Sequence, residues 1–323
     1  MQEPVTVQKV YQDLRETLGL ALLTSLPAQD VPLAAGDVHR PGMALMGFME
    51  NFLPHRLQVL GESELSYLAT LDPDAQRGAL ERLVALQAPV VFVTRDQAVP
   101  AAWLAAADAA GLPVLRTPMA TEEFIHELSV YLTDAFAPRA ELHGSLVDVY
   151  GIGMLFTGKS GIGKSECALD LVERGHRLVA DDIVEVSRVG DDVLVGRFRE
   201  VLQHNLEIRG VGVIDVQAIF GIRGIRMQKR IEVEVNLQQW RADADYERMG
   251  LDREQTEILG VPIPRIVVPI YPGKNITVIA EVIALDLMLK IYGIDSAQDL
   301  NRRIMETLRS GDRLRRYLRH DRE

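Results

Sequence analysis

Gly158-Lys159-Ser160-Gly161-Ile162-Gly163-Lys164-Ser165 fits the pattern G-x-x-x-x-G-K-[ST] at every fixed position. The flanks suit a phosphate loop. Met154-Leu155-Phe156 reads as a strand entering it, and Glu166 to Arg174 reads as a helix leaving it, stopped by Gly175. Glycines let successive backbone N–H groups turn toward one anion, and the start of the following helix adds its positive dipole end. All eight residues from Gly158 to Ser165 are therefore expected to line a nucleotide phosphate site. Within it Lys164 would reach the outer phosphates, and the Ser165 hydroxyl would face Mg²⁺.

Around this motif the chain is of ordinary globular make-up, with 323 residues, 47% hydrophobic and 25% charged. That length predicts about two domains. A formal charge of −11 argues against a nucleic-acid partner, which normally meets a basic face. Cys167 is the only cysteine, so no intrachain disulfide can form, and its place in the helix after the loop reads as a small buried filler. Met1-Gln2-Glu3-Pro4 does not open a signal peptide, and no uncharged apolar run reaches the ~20 residues of a bilayer span. A cytoplasmic location and no membrane partner are expected.

Alternating helical and strand-like pieces over residues 1–134 predict a small α/β domain. Ala88 to Thr94 and Leu112 to Leu115 read as buried strands, with an Ala-rich helix from Pro100 to Ala110 between them. Thr121 is a candidate N-cap for a helix whose apolar face carries Phe124, Leu128 and Leu132. A connector from Ala135 to Glu141 leads into the second domain, 135–323. There Leu146 to Val149 and Arg177 to Ala180 read as strands, and Gly190-Asp191-Asp192 joins a hairpin. Leu206 to Val216 reads as one strand. Ile231, Val233, Val235 and Leu237 alternate with Glu232, Glu234 and Asn236, predicting a strand with one wet face. Asn236 to Thr256 reads as a loop with some helix, Arg265 to Ile270 as a strand, and the C-terminus as helical.

A phosphate loop alone leaves the reaction open; a small-molecule kinase or a sensor ATPase would use it equally well. Asp181-Asp182 narrows the choice. The pair closes an apolar strand eighteen residues after Lys164, a spacing that predicts a strand running beside the loop's own strand. One carboxylate could hold Mg²⁺ and the other take a proton from an attacking hydroxyl. Two adjacent carboxylates should titrate as a coupled pair, with one pKa raised. Glu207 and Arg209 would share one face of a strand, as a metal ligand beside a phosphate clamp or as a surface ion pair. His143-Gly144 precedes the strand leading to the loop.

Taken together, His143 to Asp148, Gly158 to Glu166, Gly175 to Asp182, Leu206 to Asp215 and Pro272-Gly273-Lys274-Asn275 closely resemble the bacterial HPr kinase/phosphorylase family. Arg40-Pro41-Gly42, Gly61 and Glu64 are similar to that family's N-terminal pattern, so the resemblance spans nearly the whole chain. It implies a fold of a Mur-ligase-like N-terminal α/β domain followed by a P-loop kinase domain resembling phosphoenolpyruvate carboxykinase. It implies a cytoplasmic homohexamer that phosphorylates a serine of the phosphocarrier protein HPr with ATP or pyrophosphate, regulating carbon metabolism. The same enzyme would remove that phosphate by phosphorolysis, taking inorganic phosphate and releasing pyrophosphate. Mg²⁺ is the implied cofactor.

Residue by residue, the resemblance gives His143, Lys164, Asp182 and Arg248 catalytic roles, with Asp182 as proton acceptor in one direction and donor in the other. Ser165 and Glu207 match the metal ligands. Leu206 to Asp215 matches a stretch needed for both activities, and Pro269 to Lys274 one tied to dephosphorylation. Lys159 stands where the family usually has an acid, and Tyr271 and Lys274 where it commonly has arginines. A lysine brings a point charge where an arginine brings a bidentate fork.

Overall fold

The structure is a computed structural model that describes residues 4–27, 29–34, 36–50, 54–199, 204–241 and 254–320, with side chains as far as 308. Contacts divide the chain into two compact units, Met1–Ala137 and Pro138–Glu323.

The first unit holds strands β1 (Ala21–Leu22), β2 (Val38–His39), β3 (Leu57–Leu60), β4 (Val91–Val93) and β5 (Val114–Arg116). They form one sheet in the order β1-β5-β4-β3-β2, parallel from β2 to β5. Its helices are α1 (Val7–Leu14), α2 (Gly42–Leu45), α3 (Glu62–Thr70), α4 (Pro73–Ala85), α5 (Ala101–Ala109) and α6 (Thr121–Ala135). One face of the sheet packs Leu65, Leu80, Leu83 and Trp103, and the other packs Val10, Leu14, Phe124 and Leu128. Covered on both sides, β4 is an unbroken apolar run instead of an alternating one. Arg40 grips Glu64 in a two-toothed ion pair (Nε–Oε1 3.2 Å, Nη2–Oε2 2.9 Å), and Gly61 N donates to the same carboxylate. The N-terminal residues that carried the resemblance thus meet at the start of α3. Thr121 is not an N-cap. It is the first helical residue of α6, and its hydroxyl lies 2.7 Å from that of Thr94 in a buried contact.

The second unit contains β6 (Arg139–His143), β7 (Ser145–Val149), β8 (Ile152–Gly158), β9 (Arg177–Ala180), β10 (Ile183–Val189) and β11 (Val193–Phe198). It continues with β12 (Asn205–Ile208), β13 (Gly212–Asp215), β14 (Gln228–Arg230), β15 (Val233–Gln239), β16 (Glu254–Ile258) and β17 (Val261–Ile270). Helices α7 (Lys164–Glu173), α8 (Val216–Phe220), α9 (Ile276–Ile291) and α10 (Ser296–His320) complete it. A six-stranded sheet, β16-β17-β15-β8-β7-β9, stands beside a four-stranded one, β14-β11-β10-β6, and a β12-β13 hairpin. α7 and α9 cover one face of the larger sheet through Cys167, Leu171, Ala280 and Ala284. The other face meets the smaller sheet across Leu146, Leu155, Val184, Val186 and Leu194.

Several expectations change here. β6 begins at Arg139, so the link from the first unit is shorter than Ala135 to Glu141. The strand before Asp181 does not lie beside the loop's strand: β7 runs between β8 and β9, antiparallel to both. The stretch read as one strand, Leu206 to Val216, is a hairpin as far as Asp215 and enters α8 at Val216, because Gly210 and Gly212 take positive φ (85° and 106°) and turn the chain back. The face of β15 expected to be wet is buried. Glu234 and Asn236 are 7% and 8% exposed, because Thr157 and Arg265 on the flanking strands meet them there. β15 also runs on to Gln239, where a loop was expected.

Candidate active site

β8 delivers the phosphate loop and α7 leaves it, the strand-loop-helix order the motif requires. Gly158 has φ 137°, and a Cβ there would strike the backbone oxygen of Leu237 on β15. The loop's first glycine is thus demanded by backbone packing as well as by turn geometry. Gly163 (φ 103°) sits at the N-cap of α7 without a side chain of its own to cap the free N–H groups. Lys164 lies back across the loop, with Nζ 3.3 Å from Gly158 O and 3.4 Å from Lys159 O.

The centre of the site is Asp181. Ser165 donates to Oδ2 at 2.8 Å and Ser145 donates to Oδ1 at 2.5 Å. The carboxylate therefore ties the loop's last residue to the first residue of β7. Asp181 is 6% exposed, and burial pushes its carboxyl above the ordinary range, against the partial pull of the two serine hydrogen bonds. The two aspartates sit in different surroundings. Asp182 is exposed and is the middle of a γ-turn, with φ 64° and Ile183 N donating to Asp181 O at 2.8 Å. A non-glycine residue in that conformation is strained, and strain of this kind collects at functional sites.

The same turn brings in His143. Ile183 pairs with His143 across β10 and β6, and Gly144 N donates to Asp182 O at 3.1 Å. Gly144 is itself a close approach, since a Cβ on it would lie 2.5 Å from Phe156 O, two residues before the loop. His143 is exposed, like Asp182. Glu207, also exposed, stands on β12, which packs against α7 while Leu206 anchors the hairpin in the core. Glu207 and Arg209 do not form the surface ion pair that was one reading of them; Arg209 is in the turn after β12, with its guanidinium against Gly161. Arg248 lies outside the described residues. Among the described residues no cluster of three His, Cys, Asp or Glu side chains is placed to hold a metal.

The wider frame includes contacts that residue patterns did not flag. Arg174 makes a bidentate pair with Glu281 (2.9 and 2.7 Å), and His176 Nε2 lies 3.2 Å from the same carboxylate. Thr277 donates to Asp170 nearby. These contacts fasten the helix that carries Lys164 and Ser165 to α9. Ser145 was missed because a serine opening a strand carries no signal until its partner is known. Lys274 donates to Pro269 O at 2.7 Å and lies 5.4 Å from the centre of the Tyr271 ring, so two of the positions that depart from the family's pattern brace their own turn. Burial lowers the pKa of Lys274. Cys167 is buried and its thiol pKa is raised to about 12, the inert filler expected of it.

With this geometry in view, comparison with known proteins is decisive. Residues 134–304 match the HPr Serine kinase C-terminal domain, and residues 5–132 match the HPr Serine kinase N terminus. The chain belongs to the HPr serine kinase family. It is 44% identical over 306 residues to the HPr kinase/phosphorylase of Chloroherpeton thalassium, covering 94% of this chain and 90% of that one. With the namesake from Geobacillus thermodenitrificans it shares 39% identity over 302 residues, covering 94% and 98% of the two chains. A solved HPr(Ser) kinase/phosphatase from Coxiella burnetii is 30% identical with a TM-score of 0.45, covering 50% of this chain and 98% of that one. The resemblance drawn from the motifs stands, and with it the class of protein-serine kinase. No helix among the described residues is long and apolar enough to cross a membrane.

Proposed function

We propose that this chain transfers a phosphoryl group from ATP, or from pyrophosphate, to a serine of HPr, and that the same site reverses the modification by phosphorolysis. The observation that carries the proposal is the junction at Asp181, which joins the Ser165 hydroxyl of the phosphate loop to the strand end where Asp182 and His143 emerge. In the forward direction the seryl oxygen bonds to the terminal phosphorus, the bond from that phosphorus to its bridging oxygen breaks, and Asp182 takes the hydroxyl proton. In reverse an oxygen of inorganic phosphate attacks the seryl phosphate, the seryl O–P bond breaks, and Asp182 returns the proton to serine. Pyrophosphate leaves.

Lys164 would leave its loop carbonyls to meet the phosphates, and Arg248 and His143 would add charge and orientation. The donor set suits Mg²⁺: hydroxyl and carboxylate oxygens are hard ligands, and Ser165 and Glu207 would hold the ion with Asp181 behind Ser165. When bound, the ion supplies charge neutralisation at the phosphates. We further read the units as a Mur-ligase-like domain and a catalytic domain resembling phosphoenolpyruvate carboxykinase, in a cytoplasmic homohexamer.

The test uses purified protein, Mg²⁺ and HPr, first with ATP and then with excess inorganic phosphate. Seryl phosphate should form in the first stage, and pyrophosphate should appear as it is lost in the second. Asp182→Asn should depress both by about a hundredfold or more, within the range of general acid–base catalysis. Phosphorylation of a metabolite in place of HPr would sink the substrate assignment. Near-full phosphorolysis by the variant would remove Asp182 as shared acid and base.

A further inference from the structure

Beside the phosphate loop, α7 faces the turn that opens α9 across a cleft of about 440 Å³, inside the range of about 300–1,000 Å³ that small-molecule sites occupy. One wall is a single stripe of α7. Glu166, Cys167 and Asp170 follow the N-cap Gly163 at steps of three, four and seven residues, the spacing of one helical face. The other wall is the chain from Gly273 to Thr277. The cleft thus begins at the last glycine of the loop and runs away from it along the helix.

Most of its lining is already committed to holding the cleft in shape. Buried Thr277 donates to Asp170, which ties the two walls together. Asn275 caps α9 by accepting from Val278 N at 3.0 Å, and the Lys274 ammonium donates to Pro269 O at 2.7 Å. Glu166 is the exception: it is exposed and makes no hydrogen bond or ion pair among the described residues. With two carboxylates against one engaged ammonium, the lining repels phosphate and suits a neutral, hydroxyl-bearing group, since a carboxylate only accepts. Its position also fits the far end of a nucleotide. Ser165 donates to Asp181 at 2.8 Å, so the metal and the outer phosphates belong on that flank of the loop. Glu166 is the next residue, about 100° further round the helix, on the flank where the sugar end of the phosphate chain emerges.

We propose that this cleft is the nucleoside subsite of the phosphoryl donor, and that Glu166 accepts hydrogen bonds from the ribose hydroxyls. The assignment rests on the phosphate-loop reading above and extends it to the part of the donor that the loop does not hold. No bond to Glu166 is made or broken. Pyrophosphate carries no sugar and does not enter the cleft. The loop treats both donors alike, because it meets only phosphate, whereas contacts in the cleft strengthen ATP and leave pyrophosphate untouched. Glu166 is therefore a specificity-determining residue for the choice of donor.

The experiment is calorimetric titration of full-length protein, in Mg²⁺, with ATP, with its dideoxyribose analogue lacking both ribose hydroxyls, and with pyrophosphate. Wild type should bind ATP about ten- to a hundredfold more tightly than the dideoxy analogue, the range for hydrogen bonds to a charged group. Glu166→Ala should bring ATP down to the dideoxy level, leave the analogue near its wild-type affinity and not weaken pyrophosphate. Glu166→Gln, which keeps an acceptor oxygen, should fall between. The melting temperature should hold in both variants, because the side chain is exposed and supports no contact. Equal ATP affinity in wild type and Glu166→Ala, or no preference of wild type for ATP over the analogue, overturns the assignment and leaves the phosphate-loop reading standing. A parallel loss of ATP and pyrophosphate in Glu166→Ala would make the residue a support of the loop, which also overturns it. Failure of the wild-type protein to bind either ATP or pyrophosphate would instead refute the phosphate-loop reading itself.

Discussion

Replacing Ser145 by alanine should expose how Asp181 is supported. Ser145 is fully buried, and its hydroxyl is the side-chain donor to Oδ1 of a carboxylate that is itself 6% exposed. Truncation removes that hydroxyl from a nearly buried carboxylate and leaves it the Ser165 hydroxyl and the backbone N–H of Asp182. Hydrogen bonds to charged groups are worth about 1.5–3 kcal/mol. For a domain of this size each kcal/mol moves Tm by about 2–4 °C, so a fall of roughly 3–12 °C is expected at pH 7 by calorimetry. Asp181→Asn should behave oppositely. Burial outweighs the hydrogen bonds at this carboxyl and raises its pKa, so the ionised form costs stability at neutral pH and the cost is recovered as pH falls through the raised value. The neutral isostere should therefore melt at or above the wild-type temperature while losing most transfer activity, because Ser165 then lacks an anionic partner. The gap between wild type and Ser145→Ala should also narrow in acid, once Asp181 is protonated and the lost hydrogen bond is no longer charge-assisted. Should Asp181→Asn melt several degrees below Ser145→Ala, the account of Asp181 as a desolvated, functionally retained carboxylate is wrong.

Two further outcomes follow from the frame of the site. Gly158→Ala must place a Cβ against the backbone oxygen of Leu237 at φ 137°, where neither chain can yield without opening the β8–β15 ladder. The expected result is loss of about 2 kcal/mol or more from backbone strain, together with loss of nucleotide binding; a variant that melts and binds like wild type would refute it. Glu281→Gln should lower Tm at neutral pH by up to a few degrees, since the pair with Arg174 holds the Glu281 carboxyl below its usual range. For a depressed carboxyl the stabilisation is present above its unfolded pKa and lost as pH falls through the folded one, so melting curves of variant and wild type should converge below about pH 4.

Much of the site was legible in the chain because its parts are local. A phosphate loop is eight consecutive residues whose backbone does the binding, and the helix after it is marked by an apolar face and a stopping glycine. The Asp181-Asp182 pair announced itself by adjacency alone. What adjacency could not show was that the two would be treated differently. Asp181 points into the fold between two serines, while Asp182 is turned outward by its γ-turn. Glu234 and Asn236 misled for the same reason: alternation says which face a residue takes, and only neighbouring strands decide whether that face meets water.

From residues alone came the phosphate loop, its flanking strand and helix, the family, and the apolar runs that become the two cores, all properties written in contiguous sequence. Tertiary structure alone decided that β7 would separate β8 from β9, that Ser145 would complete the Asp181 junction, and that the turn after β12 would carry Arg209 onto Gly161. Those contacts join residues far apart in the chain. Their closeness is set by which strands pair and which faces pack, a choice the whole core makes and no short segment records.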